Sequence, residues 1–265
     1  MFVHLRLHTE FSVVDGTNRI DEIVHAAAAD SQPALAITDL GNLFGAIKFY
    51  KEARGQGVKP LIGAEIVVEG LGKDAGVLSR MILLVQGPQG YLNLCELLAR
   101  AWTRNVVKAQ AVVRLEWLKE LSEGLILLSG AQAGPVGQAL VQGDSARAAD
   151  LALQLASIFP HRFYLELQRA GRAEDGVQVA GAVQLAARLN LPVVATHPVQ
   201  FHARDDSRPT KPGSALPKAR SWPTRGARAD SRPSSISRAA RRCRRCSPTC
   251  PARWPTPWRL PAAAA

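Results

Sequence analysis

The sequence predicts an α/β fold built on a largely parallel sheet. Three observations carry that reading. Short apolar runs of strand character alternate with helix-spaced segments over the first 200 or so residues. Polar residues (His8, Asp39, Glu65 and His197) recur at the C-terminal ends of those runs, where barrel enzymes place their sites. No G-x-G-x-x-G follows the first run, which disfavours a dinucleotide-binding sheet. Periodicity alone leaves two architectures open: a closed barrel and an open doubly wound sheet.

Phe2 to Leu7 reads as a short β-like run leading to His8. Arg19 to Ala29 places Ile20, Ile23, Val24 and Ala27 at helical spacing. Ala34 to Thr38 (ALAIT) is a buried strand, and Asp39-Leu40-Gly41-Asn42 a turn at its C-terminal end. Leu43 to Arg54 is helical and ends at Gly55 and Gly57. Pro60 to Val68 is a strand carrying Glu65, and Met81 to Val85 a continuous apolar strand covered on both faces. Gln89 to Ala101 and Leu115 to Leu121 are helices, with a strand at Leu125 to Leu128. Ser145 is the expected cap of a helix over Ala146 to Ile158, stopped by Pro160. A strand (Phe163 to Leu167), a helix (Glu174 to Leu189) and a last strand (Leu191 to Thr196) complete the series.

Near Asp206 the chain changes character. From Arg204 onward it holds 15 of the 33 Lys+Arg, 3 of the 22 Asp+Glu, 10 of the 17 prolines and three of the four cysteines. The first 203 residues therefore carry a net −1 and the remainder +12, so the whole-chain pI of 10.1 describes the tail. The expectation is an ordered unit over residues 1–206 and a disordered Arg/Pro-rich tail over 207–265. The tail has the further mark of an out-of-frame reading. Ser207 to Ala219 (SRPTKPGSALPKA) can be encoded so that codons begun one nucleotide earlier spell FEAHEARVCIAEG. The same shift converts Arg245 to Ala263 into LFADVPGALANTVEIARR. Both restored strings have helix-like apolar spacing and balanced charge. A genuine nucleic-acid-binding tail is the competing reading.

Composition narrows the classes further. No run approaches the 18 or so apolar residues of a membrane helix, and MFVHLRLHTEFS lacks a secretory pattern. Only Cys95 falls in the ordered body, which excludes a disulfide framework. A cytoplasmic protein fits. Cys243, Cys246 and Cys250 make half a zinc site with no fourth ligand at the usual spacing. The bland reading makes His4 an alternating strand residue, His25 a helix-surface residue and His161 a turn residue after Pro160, leaves His202 uninformative beside the break, and takes Trp102 and Trp117 as core or packing residues and Lys48, Lys51, Arg54 and Lys59 as a solvated strip.

Four clusters carry a resemblance: HLRLHTEFSVVDG (4–16), ALAITDLGNLFGAIKFYKEAR (34–54), KPLIGAE (59–65) and LPVVATHPVQF (191–201). With GYLNLCELL, GLILLSG and FYLELQRAGR they resemble the PHP (polymerase and histidinol phosphatase) domain at the N-terminus of the bacterial DNA polymerase III alpha family. The resemblance spans residues 1–206, and the restored strings resemble the next segments of that family's sequences. It implies a distorted (β/α)7 barrel, incomplete here at its C-terminal end.

In metal-retaining PHP domains, His and carboxylate ligands hold Zn or Mn ions that activate water for phosphoester hydrolysis. Of those positions, the resemblance leaves His8, Asp15, Asp39, Glu65 and His197 as remnants. Arg6, Leu40, Arg80, Pro198 and Gln200 stand where further ligands are expected. Cations repel a metal, and Leu, Pro and Gln are poor ligands. Arg6 and Arg80 are expected to pair with Asp15, Glu65 or Asp39. No metal and no catalytic residue is therefore expected in this chain. The family's Mg belongs to a polymerase module outside this sequence. The implied role is a structural module that docks the epsilon proofreading subunit and other polymerase III holoenzyme subunits. DNA is a partner of the full-length parent, and no membrane is involved. Two alternatives stand: a metal-dependent 3′–5′ exonuclease or phosphoesterase, and nucleic-acid binding through the basic tail.

Overall fold

In the computed structural model, residues 2–12, 15–71 and 77–200 are described. The tail, with Cys243, Cys246, Cys250 and the expected disorder over 207–265, lies outside the described residues, as do Phe201 and His202. In chain order the elements are α1 (Ile20–Ala29), β1 (Ala34–Leu40), α2 (Ala46–Gly55), β2 (Lys59–Glu69), β3 (Ser79–Val85), α3 (Pro88–Arg104), β4 (Val106–Val107), β5 (Gln110–Arg114), α4 (Leu115–Glu120), β6 (Leu125–Leu128), α5 (Pro135–Val141), α6 (Ser145–Ile158), β7 (Phe163–Gln168), α7 (Asp175–Leu189) and β8 (Val193–Thr196).

The sheet is mixed rather than uniformly parallel. β1 runs parallel to β2, and β6 to β7 and β7 to β8, but β3 is antiparallel to both β2 and β6. The chain between β2 and β3 is too short for a crossover helix, and only a parallel neighbour demands one. β2 is long enough to serve two partners along one edge: its first seven residues pair with β1, its last three with β5. β4, β5 and α5 are short elements whose periodicity is too brief to read. The expected strand over residues 2–7 is realised as isolated bridges, His4 to Leu35 and Leu7 to Val199. Those bridges close the sheet. The amide of Ala36 donates to the carbonyl of His4 (2.9 Å), and the amide of His8 to that of Val199 (2.9 Å). Residues 4–8 are thus the stave between β1 and the chain beyond β8, and the sheet becomes a barrel.

Two local expectations shift. α2 begins at Ala46 because Gly41 (φ 66°) and an Asn42 side chain that accepts the Phe44 amide (3.1 Å) spend residues 41–45 on a turn. The cap of α6 is Asp144, whose carboxylate accepts the Arg147 amide at 2.9 Å; Ser145 is the first helical residue.

Strand alternation sorts the core into two layers. Leu83, Leu127 and Leu165 face outward against Leu94 and Leu97 of α3 and Leu151 and Leu155 of α6. Leu35 and Ile37 meet α1 and Phe49 of α2. Ala36, Ile82, Leu84, Ile126, Leu128 and Tyr164 fill the barrel interior. Burial of such side chains stabilises by about 1.5–3 kcal/mol each. β8 is less covered: Val193, Val194 and Ala195 are all half-buried.

Candidate functional site

The interior turns from apolar to ionic at the strands' C-terminal ends. Parity dictates which side chains arrive there. Leu61 and Ile82 point inward, so Glu65, four residues beyond Leu61, points inward too. So does Arg80, two residues before Ile82 on the antiparallel strand. By the same count Tyr164 brings Glu166 and Gln168 inside, and Val194 brings Thr196.

Glu65 is the hub, with no exposed surface. Arg6 donates to its Oε2 from Nη2 at 2.7 Å, and His8 to the same oxygen from Nε2 at 2.9 Å. Arg80 Nη1 lies 3.4 Å from Oε1. The other ring nitrogen of His8, Nδ1, faces Asp15 Oδ1 at 2.9 Å, and Arg80 Nη1 reaches Asp15 Oδ2 at 3.4 Å. Carboxylates only accept, so both His8 nitrogens must donate, and the ring is an imidazolium. Burial pulls the His8 pKa down, but the hydrogen bonds to Asp15 and Glu65 outweigh it and leave the value at about 9. Burial pushes Glu65 up, while the His8 hydrogen bond and the charges of Arg6, His8 and Arg80 bring it down to about 2.

The structure brings Arg6, His8, Asp15, Glu65 and Arg80 together. Asp39 belongs to the opposite face of β1, with Leu35 and Ile37, although it feels the charge of His8. It accepts from the Thr9 amide (2.6 Å), the Thr9 hydroxyl (2.8 Å) and the Ser12 hydroxyl (2.9 Å), and so pins the turn after the first stave. Burial raises its pKa, and those hydrogen bonds pull against the rise. Leu40 is the last residue of β1, opposite Glu65 in the register, and its amide donates to Ser12 Oγ at 3.0 Å. His197 and Pro198 come directly after β8 and are half-buried. Gln200 uses its carbonyl to accept from the Thr17 amide at 3.1 Å. Pro198 and Gln200 thus flank Val199, where the barrel closes.

Sequence reasoning passed over Glu166, which is fully buried in the opposite wall. It accepts from the Gly130 amide (2.5 Å), the Thr196 hydroxyl (2.7 Å) and Gln168 Nε2 (3.3 Å). Burial raises its pKa, and the charge of Arg6, the Thr196 hydroxyl and the Gly130 amide offset this in part. Its signal was available: a lone acid at an inward position of a strand, FYLELQ, that is apolar up to the closing Gln168. Gly130 is fixed by its surroundings. Its φ is 79°, and a Cβ would come within 1.9 Å of the Arg80 carbonyl oxygen.

A divalent ion needs free carboxylate oxygens and a neutral imidazole lone pair. Here both His8 nitrogens and both oxygens of Glu65 and of Asp15 already face cations or donors. Among the described residues no group of three or more His, Cys, Asp and Glu is arranged to hold a metal. As arranged, these donors do not fit a Zn or Mn cluster. The arrangement neutralises buried charge and ties β2, β3 and the loop at Asp15 to the first stave.

The chain has recognisable relatives. The PHP domain family matches residues 4–170. The DNA polymerase III subunit alpha of Pseudomonas aeruginosa is 44% identical over 205 residues, covering 77% of this chain and 17% of that protein. The Escherichia coli K12 subunit is 42% identical over 202 residues (76% and 17%), and that of Neisseria meningitidis serogroup A 48% over 212 (77% and 18%). The chain thus spans about one-sixth of these relatives' length. Among solved structures, an amidohydrolase from Chromobacterium violaceum superposes with a TM-score of 0.52 at 13% identity, covering 76% of this chain and 88% of that one. It shares the mixed α/β fold.

Proposed function

We propose that this chain, which belongs to the PHP domain family and corresponds to the N-terminal region of DNA polymerase III alpha subunits, serves as a structural and docking module rather than as a phosphoesterase. The observation that carries the reading is the Arg6–Glu65–His8–Asp15–Arg80 network. Two guanidinium groups and an imidazolium supply the positive charge that buried carboxylates require. None of these five side chains is left free to polarise a phosphate or to activate water. The full-length parent synthesises DNA in the cytoplasm, and this domain supports its core and receives the epsilon proofreading subunit and other holoenzyme subunits.

The decisive experiment pairs two measurements on the purified protein. Elemental analysis after dialysis against trace Zn and Mn should give well under one ion per chain. Titration with a purified epsilon-type exonuclease subunit should give a saturable complex. Two or three tightly held ions with 3′–5′ nuclease activity would overturn the proposal in favour of a metal-dependent phosphoesterase.

The segment after Asp206 belongs to the same proposal as an out-of-frame reading. Its +12 charge then has no role in nucleic-acid binding. Sequencing the DNA across the Asp206 codon decides the point, and an intact frame there would return the basic tail as a nucleic-acid-binding element. No helix among the described residues is long and apolar enough to cross a membrane.

A further inference from the structure

The outer face of α2 combines exposed apolar side chains with unbalanced charge. Phe49 and Ala53 hold the helix against the core, with Ala46 buried beside them. On the other side, Ile47, Tyr50, Lys51 and Arg54 recur at spacings of three and four, which makes them one stripe along the helix. Ile47 is 69% exposed and Tyr50 51%, and Lys51 and Arg54 are exposed. Phe44, 74% exposed, stands three residues before Ile47 in the turn that leads into the helix. A single exposed apolar residue needs no explanation, but three large ones over residues 44–50 mark a surface that water covers at a cost. The cations depart from the ordinary pattern as well. Surface neighbours on a helix lie three and four positions apart. Those of Lys51 are Ile47, Lys48, Arg54 and Gly55, and those of Arg54 within α2 are Tyr50 and Lys51. No carboxylate is among them, and Lys48, Lys51 and Arg54 follow one another at intervals of three, where like charges destabilise a helix. Lys48 is neutralised by Glu10 at 2.9 Å. Among the described residues no ion pair includes Lys51 or Arg54. On α3, by contrast, Arg100 is matched by Glu96 at 2.7 Å, four residues away, and by Glu120 at 2.6 Å.

We propose that the α2 face docks an acidic segment of a partner protein, which sets apolar side chains on Ile47 and Tyr50 and carboxylates on Lys51 and Arg54. Such a segment answers both departures at once: it covers the apolar surface and supplies the counter-charge that the helix itself lacks. A second copy meeting the same face would set Lys51 and Arg54 against their own kind. Residues 204–265, at +12, are repelled for the same reason. Single-stranded nucleic acid needs a positive track with stacking platforms along it. Two unpaired cations are too few for such a track, and Ile47, between the two rings in sequence, offers no stacking face. Residues 1–203 carry a net −1, so the positive charge is local to this face and selects for a matched partner rather than for polyanions at large. From Ile47 to Arg54 the stripe runs about 10 Å at about 1.5 Å per residue, which suits a short helical segment laid along it.

The inference rests on the docking role proposed above and names its surface. The test adds a helical peptide, with Leu along one face and Glu on both flanks, to the isotopically labelled protein. The amide signals of residues 47–54 should shift saturably, and less at high salt. Ile47→Ser should weaken binding by about tenfold, as the loss of one apolar anchor does, while Leu153→Ala, at an exposed apolar position on α6, leaves it unchanged. Lys51→Glu with Arg54→Glu should lose the Glu-flanked peptide and gain a Lys-flanked one, a swap that an unfolded variant cannot show. The absence of a saturable shift, equal binding of a scrambled peptide, or a charge-reversed variant that keeps its preference would overturn the proposal. So would a concentration-dependent dimer that Ile47→Ser abolishes, or a single-stranded oligonucleotide that shifts the same signals. The two readings fail separately. If the exonuclease subunit binds wild type and charge-reversed variant alike and the peptide does not bind, the surface is wrong and the docking role stands. If the peptide binds and the subunit does not, the α2 face stands and the docking role falls.

Discussion

Two glutamates face each other across the barrel, and their surroundings differ in kind. Glu65 on β2 and Glu166 on β7 are equally hidden from solvent. Glu65 is met by two guanidinium groups and an imidazolium, and its pKa falls to about 2. Glu166 is met by an amide, a hydroxyl and a carboxamide, and burial raises its pKa. Burial alone therefore does not decide the state of a buried acid; the charge of its partners does. The β2 wall is an ion network that any single deletion unbalances. The β7 wall is a neutral hydrogen-bond network that tolerates a neutral acid.

Four measurements probe the contrast between the walls. The largest effect is expected from Glu65→Gln, which removes the one carboxylate bonded to Arg6 and leaves the His8 imidazolium with Asp15 alone. Removing one partner of a buried pair costs about 3–5 kcal/mol, so urea unfolding should show a large drop in midpoint. A loss below about 1 kcal/mol would mean that solvent reaches the network. The second is pH dependence. His8 has a folded pKa of about 9 against an ordinary 6.5, so its contribution is complete below pH 6.5 and lost as pH rises through 9. The magnitude is on the order of 3 kcal/mol at about 1.4 kcal/mol per pH unit. Glu65 has the opposite sign: its contribution is complete above pH 4.5 and lost as pH falls through about 2. Thermal melts should therefore plateau between about pH 4.5 and 6.5 and fall on either side. His8→Gln should remove the alkaline fall and keep the acid one. A wild-type melt flat from about pH 6.5 to about pH 9.5 would contradict the doubly bonded imidazolium.

Gly130→Ala comes third, because it joins the two walls. Its amide holds Glu166, and its missing Cβ leaves room for the Arg80 carbonyl. Strain at a positive φ costs about 1–3 kcal/mol, and the backbone clash adds to it, so calorimetry should show a melt lowered by several degrees. An unchanged melt would separate the walls energetically. The smallest effect belongs to Glu166→Gln, about 1 kcal/mol or less, since a carboxamide can replace the acid once Thr196 and Gln168 reorient. If it costs as much as Glu65→Gln, Glu166 is ionised and Arg6 serves both walls.

The order and kind of the long elements were legible in the sequence, because hydrophobic periodicity is a local property of α1, α3, α6, α7 and the apolar strands. Arg6, Leu40, Arg80, Pro198 and Gln200 are residue identities read from the sequence, and that they stand where ligands are expected is what the resemblance to the family implies. The same reading marked His8, Asp15 and Glu65 as neighbours in chemistry without saying which atoms meet. The remainder took shape in three dimensions. β3 runs against its neighbours, residues 4–8 close the barrel against Val199, and Asp39 turns to the outer face to hold the turn at Thr9 and Ser12. Glu166 enters the interior through strand parity and finds its partners on Gly130 and Thr196, 36 and 30 residues away. These are contacts between residues far apart in the chain. Periodicity reports which face of a segment is apolar; which segments come together, and with what charge between them, is settled only when the barrel closes.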